Sequence, residues 1–365
     1  MKNMNVITSL NTLRFLLAIC VFIGHFYILV FWNGNPKDLI GLQNLAVDGF
    51  FILSGFLLAR SCQNLKDPRQ FINKDRPDLG SQVSPFCYIN LKRYFRLLPE
   101  LIFASVFTLI ISFIFQIPHP NPAYLLFNGL LLSNINKLPA IVEGSWFISV
   151  LFYVTILYTF IYYYFGKFQT IISILLIFLA FSYLFANYGN LSLNAYPLIC
   201  NFISAGFLKG VMDIGIGFLL FGTSNYLRTN PFYLRSEIIK LLLILFEISG
   251  IFLICFCMVF AKINQKDFFI LFGFSFLIPI LYFRKEFFLK FLSYKFWNYI
   301  SGSSYMFYLT HVIIIKVLNE KITISNNIMS YLCILLLCLI VAQLLYKAQI
   351  RLISSLLLQL SLSNK

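Results

Sequence analysis

Charge is the scarcest commodity in this sequence. Only 11% of its 365 residues are Asp, Glu, Lys or Arg, against about 25% in an ordinary soluble domain. That shortage, with 60% hydrophobic residues and a mean hydropathy of +0.84, excludes a soluble globular chain and indicates a polytopic helical membrane protein. Histidine is rarer still, at three residues. The eight cysteines (Cys20, Cys62, Cys87, Cys200, Cys255, Cys257, Cys333, Cys338) form no CxxC pair and no cluster with His. A zinc site, any other metal centre and a disulfide framework are therefore not expected; most of these cysteines lie in apolar spans as small hydrophobes. No glycine-rich loop of the P-loop or dinucleotide type occurs, so any nucleotide must be held by side chains. Repeats, low-complexity tracts, a cleavable signal and a separate soluble domain are not expected either.

What is present is a series of apolar runs. They predict an all-α, polytopic transmembrane bundle of about ten spans, near 12–32, 43–60, 98–117, 144–165, 169–187, 206–223, 239–261, 267–283, 300–318 and 327–347. The apolar stretch 124–132 is too short to cross and reads as re-entrant or interfacial. Residues 1–348 form the membrane domain, and 349–365 a short amphipathic tail at the inner interface. The net charge of +15 does not indicate nucleic acid, because the basic residues lie between spans and not in one patch. With both termini cytoplasmic, 20 of the 28 Lys and Arg fall on inner loops and span ends, as the positive-inside rule requires.

Against this apolar background the polar residues stand out. Arg14 and His25 lie eleven residues apart in the first span, on nearly the same helical face and about 16 Å apart along the axis. They face either a wet interior or, more plainly, the head groups and a neighbouring helix. The second span carries Asp48 near its outer end, within Val47-Asp48-Gly49-Phe50-Phe51 and ahead of Ser54-Gly55-Phe56. Gly49 and Gly55 allow a second helix to approach, but packing alone does not require a carboxylate. Arg93 and Arg96 are neighbours on one face of a helix at the cytoplasmic surface. Two guanidinium forks suit a phosphate ligand, though lipid phosphate or topology alone also accounts for them. Glu143-Gly144-Ser145-Trp146 opens the fourth span, where Trp commonly anchors at an interface. Ser304, Tyr308 and His311 make a polar stripe on the ninth span, fit either to line a pocket for a hydroxylated ligand or to bond another helix. Lys209 and Asp213, one turn apart, can neutralise each other; Glu247 has no assigned role.

In this order the motifs resemble the integral-membrane acyltransferase 3 family. The likeness rests on Arg14-x10-His25, the Asp48-Gly49 to Gly55 stretch, Arg93-x-x-Arg96 with Pro99, Gly144-Ser145-Trp146, and Ser304-Tyr305-x-x-Tyr308-Leu309-x-His311. One departure is visible: relatives often carry a Glu shortly after the Trp, whereas this run continues Phe147-Ile148-Ser149-Val150. Glu143, just upstream, is not taken as its replacement. The esterase-like domain that larger relatives append is not expected here.

The resemblance implies transfer of an acyl group, acetyl first, from cytoplasmic acetyl-CoA or another acyl-CoA to a hydroxyl of a surface glycan such as lipopolysaccharide O-antigen or capsule. It implies His25, His311 and Asp48 as catalytic candidates and Arg14, Arg93 and Arg96 as donor-binding residues. Ser304, Tyr308, Trp146 and Glu143 fall on the acceptor side. The expected partners are acyl-CoA, a free or lipid-linked glycan and membrane lipid, in a bacterial inner membrane. The rival is a transporter or exporter of a glycan or lipid-linked sugar, against which stands the lack of paired interrupted helices in the two halves.

Overall fold

A computed structural model describes residues 2–32, 42–65, 84–118, 120–133, 138, 140–188, 198–199, 203–229, 237–259, 263–283, 295–322, 324 and 327–363. Most of the polar loop that follows the second span, and the basic segment 284–294, lie outside the described residues. Among the described residues, ten helices of 18 residues or more overlap the ten predicted runs. They are α1 Lys2–Val30, α2 Leu42–Asn64, α3 Pro85–Phe115, α4 Ser145–Tyr164 and α5 Gln169–Tyr188. Then follow α6 Ala205–Thr229, α7 Glu237–Val259, α8 Ile263–Phe283, α9 Ser304–Lys321 and α10 Ile328–Ser363. A two-residue antiparallel pairing, Leu198–Ile199 with Ile203–Ser204, precedes α6. Among the described residues, seven of the helices are long and apolar enough to cross a membrane: α1 to α6 and α10. In α7 and α8 the apolar helix described runs only from Ile244 to Ile254 and from Phe268 to Tyr282. In α9 Lys316, Glu320 and Lys321 crowd its last turns.

Three boundaries differ from the sequence reading, each for a local reason. Helix α3 starts at Pro85 rather than near residue 98. Ser84 caps it by accepting from the Cys87 N–H, and Pro85 sits in the first turn, where its missing N–H costs nothing. Arg93 and Arg96 therefore lie well inside a helix. The expected ninth span is broken: a short helix Lys295–Ser301 ends at Gly302, and α9 begins afresh at Ser304. The last helix runs unbroken past Gln349 to Ser363.

The stretch after α3 turns back into the bundle. A 3-10 turn, Pro122–Tyr124, and a five-residue helix, Leu125–Gly129, are anchored to α3. Asn128 Nδ2 donates to Ser105 Oγ (2.7 Å), and Tyr94 Oη donates to the Gly129 carbonyl (2.7 Å). The segment is re-entrant, and side-chain bonds replace the ladder it is too short to form.

Lipid tails compete equally for apolar side chains, so close backbone approach holds these helices together. It is tightest between α2 and α6. A Cβ on Gly55 would stand 2.0 Å from the Ile214 carbonyl oxygen, and one on Gly217 would stand 1.9 Å from that of Ile52. Helices α1, α2, α4, α6 and α9 supply most of the buried side chains, whereas α5 and α10 turn apolar faces outward. Gly217→Ala should therefore force α2 and α6 apart. We expect a loss of at least about 1–3 kcal/mol, seen as a lowered melting temperature in detergent. Gly222→Ala on the same helix, with no neighbour within 4 Å, should melt like the wild type.

Candidate functional site

Helices α1 and α9 pack side by side and bring the two span histidines together. His25 Nδ1 and His311 Nε2 are 2.8 Å apart, with the rings nearly parallel at 17°. His311 Nδ1 lies 3.1 Å from the Phe307 carbonyl, one turn earlier on α9. A carbonyl can only accept, so His311 carries its proton on Nδ1 and offers the Nε2 lone pair. His25 must then donate through Nδ1, which leaves its own Nε2 as a bare lone pair. His311 is buried, at 1% exposure, whereas His25 is half-buried. Phe22 and Phe307 wall the pair, each with its ring centroid within 6.2 Å of that of His311.

Three turns down α1 from His25, Arg14 comes within electrostatic reach of Arg93 and Arg96 of α3, and like charge raises the cost of holding all three there. Arg14 is half-buried and touches Asn11 Oδ1 at 3.5 Å; Arg93 is half-buried and Arg96 exposed. Like charges gathered from two helices are stable in the presence of an anion. The structure thus joins residues far apart in the sequence into an arginine cluster at one level and a histidine pair at another.

The remaining candidates sit around α9. Tyr308 Oη donates to the Gly144 carbonyl (3.2 Å). Gly144 is left-handed, with φ 82°, and a Cβ there would come within 3.2 Å of the same hydroxyl. That contact gives the glycine before Ser145-Trp146 a physical reason and locks the start of α4 onto α9. Trp146 is half-buried and packs edge-on against Phe51 of α2, with centroids 6.4 Å apart. Ser304 is half-buried in the first turn of α9, on the side of the helix that carries His311. Glu143 is exposed, pairs with Lys316 near the far end of α9, and lies within electrostatic reach of His25. Two cavities open beside Lys316, of about 180 Å³ and about 50 Å³; Glu143, Thr108 and Ser112 line the smaller. Asp48 is buried, with Lys209 of α6 2.6 Å away across the α2–α6 seam. Lys209 thus reaches a carboxylate on another helix. Among the described residues no group of three or more His, Cys, Asp or Glu could hold a metal.

One residue escaped the sequence reading. Glu100 follows the Arg93–Pro99 motif by a single position; it lies within electrostatic reach of Arg96, and its Oε2 is buried without a hydrogen-bond partner. The signal was an acidic residue in an apolar run beside a proline.

An acyltransferase-domain family model matches residues 7–347, nearly the whole chain. The chain belongs to the acyltransferase 3 family. No curated protein and no solved structure matches it. It is accordingly an integral-membrane acyltransferase, and the paired histidines and clustered arginines are the residues that carried the resemblance.

The Asp48–Lys209 pair makes a test that separates packing from chemistry. Lys209→Met strands a buried carboxylate and should cost about 3–5 kcal/mol, read as lost yield and a lower melting temperature. Asp48→Asn with Lys209→Met removes both charges and should recover most of that stability. If Asp48 serves only the seam, the double variant regains acyl transfer as well; a stable but inactive double variant assigns Asp48 to the reaction.

Proposed function

We propose that this protein transfers an acyl group, acetyl in the first instance, from a cytoplasmic acyl-CoA to a hydroxyl of a surface or lipid-linked glycan at a bacterial inner membrane. The observation that carries this reading is the lone pair on His25 Nε2, aligned by His311 and reached from the arginine cluster along a single helix. In this reading both termini face the cytoplasm. Arg93 and Arg96 pair with the donor phosphates, and Arg14 meets them at the base of the pantetheine arm. The separation of Arg14 and His25, about 16 Å along α1, suits an extended arm that delivers its thioester to the histidines.

The acceptor hydroxyl gives its proton to His25 Nε2 as its oxygen attacks the thioester carbonyl. His311 Nε2 accepts the Nδ1–H of His25 throughout, so the charge gained by His25 is met by a fixed lone pair rather than by lipid. The tetrahedral intermediate breaks its C–S bond, and the thiolate of CoA takes the proton back from His25. The products are the ester and free CoA. His311 is a positioning residue in this scheme, and Tyr308 holds its helix against the opening of α4. Glu143 and Trp146 lie around the face from which an outer acceptor would approach, whereas Ser304, in the first turn of α9 beside Tyr305 and Leu97, falls at the donor end and not on the acceptor side expected for it. A covalent acyl group on His25 Nε2 would use the same lone pair.

Two measurements test this reading. His25→Ala should reduce acyl-CoA turnover by purified protein about 10²–10⁴-fold at matched membrane level, and His311→Ala should leave measurable residual activity. A transporter would consume no thioester in either form. For the donor clamp, Arg93→Lys and Arg96→Lys keep the charge but lose the fork. CoA binding by calorimetry should weaken about ten- to a hundredfold, equivalent to about 1.5–3 kcal/mol; unchanged dissociation constants would reduce this pair to a topology signal. Mass spectrometry of surface glycan from a deletion strain and its parent names the acyl group and its acceptor together.

A further inference from the structure

The scheme above leaves unused a buried hydroxyl on α3. Thr108 is 6% exposed, and among the described residues its Oγ1 has no hydrogen-bond partner. A buried hydroxyl left in that state costs the resting protein and gives its packing nothing that a methyl group would not. Thr108 lines the smaller of the two cavities beside Lys316, with Ser112 one turn further on, Glu143 ahead of α4, and an apolar wall from α9. The larger cavity shares Lys316, Ile117 and Pro118 with it and adds Leu29, Asn319 and Glu320. The two are neighbours across one lysine.

Their place follows from how α3 and α9 run. Tyr305 Oη donates to the Leu97 carbonyl, and eleven residues further along each helix Lys316 and Thr108 line one cavity. The two helices therefore rise together, and the cavities lie at the end away from the arginine cluster. Leu29, which lines the larger, stands one turn beyond His25 on α1, about 6 Å along the axis. Helix α3 stops at Gln116, whose φ of 54° turns the chain back. The Ile117 N–H then donates to the Ser112 carbonyl (3.0 Å), which folds Ile117 and Pro118 over both cavities. Volumes of about 180 Å³ and about 50 Å³ fall below the roughly 300–1,000 Å³ of a pocket that encloses a drug-sized ligand. They suit one ring of a larger molecule whose remainder stays outside. Hydroxyls and an amide answer the ring's hydroxyl groups, and the apolar wall answers its C–H face. One lysine against Glu143 and Glu320 leaves no surplus positive charge to hold an acidic ring. We infer that these adjoining cavities bind a neutral sugar ring, the one that carries the reacting hydroxyl, with Thr108 Oγ1 hydrogen-bonded to that ring and the Lys316–Glu143 pair beside it. The inference rests on the acyl-transfer reading for the fate of the ring, whereas its binding can be read without turnover.

The test compares Thr108→Val, which keeps the shape and loses the hydroxyl, with Thr108→Ser, which keeps the hydroxyl. The probe is the unacylated surface polysaccharide of a deletion strain, added to the purified full-length protein. Thr108→Val should melt no lower than wild type and keep the acetyl-CoA KM, while its KM for the polysaccharide rises about two- to tenfold, the worth of one neutral hydrogen bond. Thr108→Ser should restore that KM. A second readout needs no donor: the rate at which succinimidyl acetate modifies Lys316, located by peptide mass spectrometry. The polysaccharide should slow that reaction in wild type, and equal protection of Thr108→Val should take about two- to tenfold more of it. A Thr108→Val protein that melts lower or fails to accumulate would assign the hydroxyl to the fold and overturn the inference. So would a wild-type polysaccharide KM, as expected of a hydroxyl that binds only water, or a Lys316 that the polysaccharide does not protect. Mass spectrometry of the parent strain's glycan should place the acyl group on a neutral sugar; an acidic sugar there would overturn the class assigned. If wild type consumes no acetyl-CoA, the proposed function fails, and protection of Lys316 still decides whether the cavities bind sugar. Turnover with Lys316 unprotected sinks the inference alone.

Discussion

The hydrogen bond between His25 Nδ1 and His311 Nε2 is the constraint around which the bundle is arranged. An imidazole in a span is costly unless something satisfies both ring nitrogens or one of them is kept for use. Here the Phe307 carbonyl satisfies one nitrogen of His311, the two rings satisfy each other, and a single nitrogen remains. The direction of both bonds follows from the fact that a carbonyl cannot donate. Among the described residues, a base is thus prepared with no carboxylate shown in contact with it, in contrast to triads in which an acid orients the histidine.

The remainder of the fold holds α1 and α9 at that separation. Helix α9 is short and polar at its end, and by itself would be a poor membrane span. It is held at its start by Leu97 of α3, in its middle by Gly144, and at its far end by the Glu143–Lys316 pair. Helix α1 packs against α2, which locks onto α6 through Gly55 and Gly217. The break at Gly302 and Ser303 sets where α9 begins along the bundle.

Much of this was legible in the sequence because membrane spans have a strong signature. Ten apolar runs marked ten helices, and the eleven-residue spacing placed Arg14 and His25 on one face. The pairing of His25 with His311 was not legible. It depends on the depth at which α9 starts, and that depth is set by the interrupted span, which the apolar run through 300–318 conceals. The early start of α3 was written in Ser84-Pro85, but a polar loop leading up to it obscured the cap. Lys209 shows a further limit: helical spacing offered it Asp213, whereas helix packing brought Asp48 to 2.6 Å. Glu100 was missed because it lies one residue past a recognised motif.

The most direct test of the central claim is the protonation pattern of the pair itself. With only three histidines in the chain, nitrogen-15 labelling of histidine gives a spectrum that single His→Gln variants can assign in nanodiscs. At neutral pH the account predicts that both His25 and His311 carry their proton on Nδ1, with the Nε2 of His25 unprotonated and the His311 Nε2 shifted by an accepted hydrogen bond. A His25 protonated on Nε2, or a His25 signal unmoved when His311 is replaced, would contradict it.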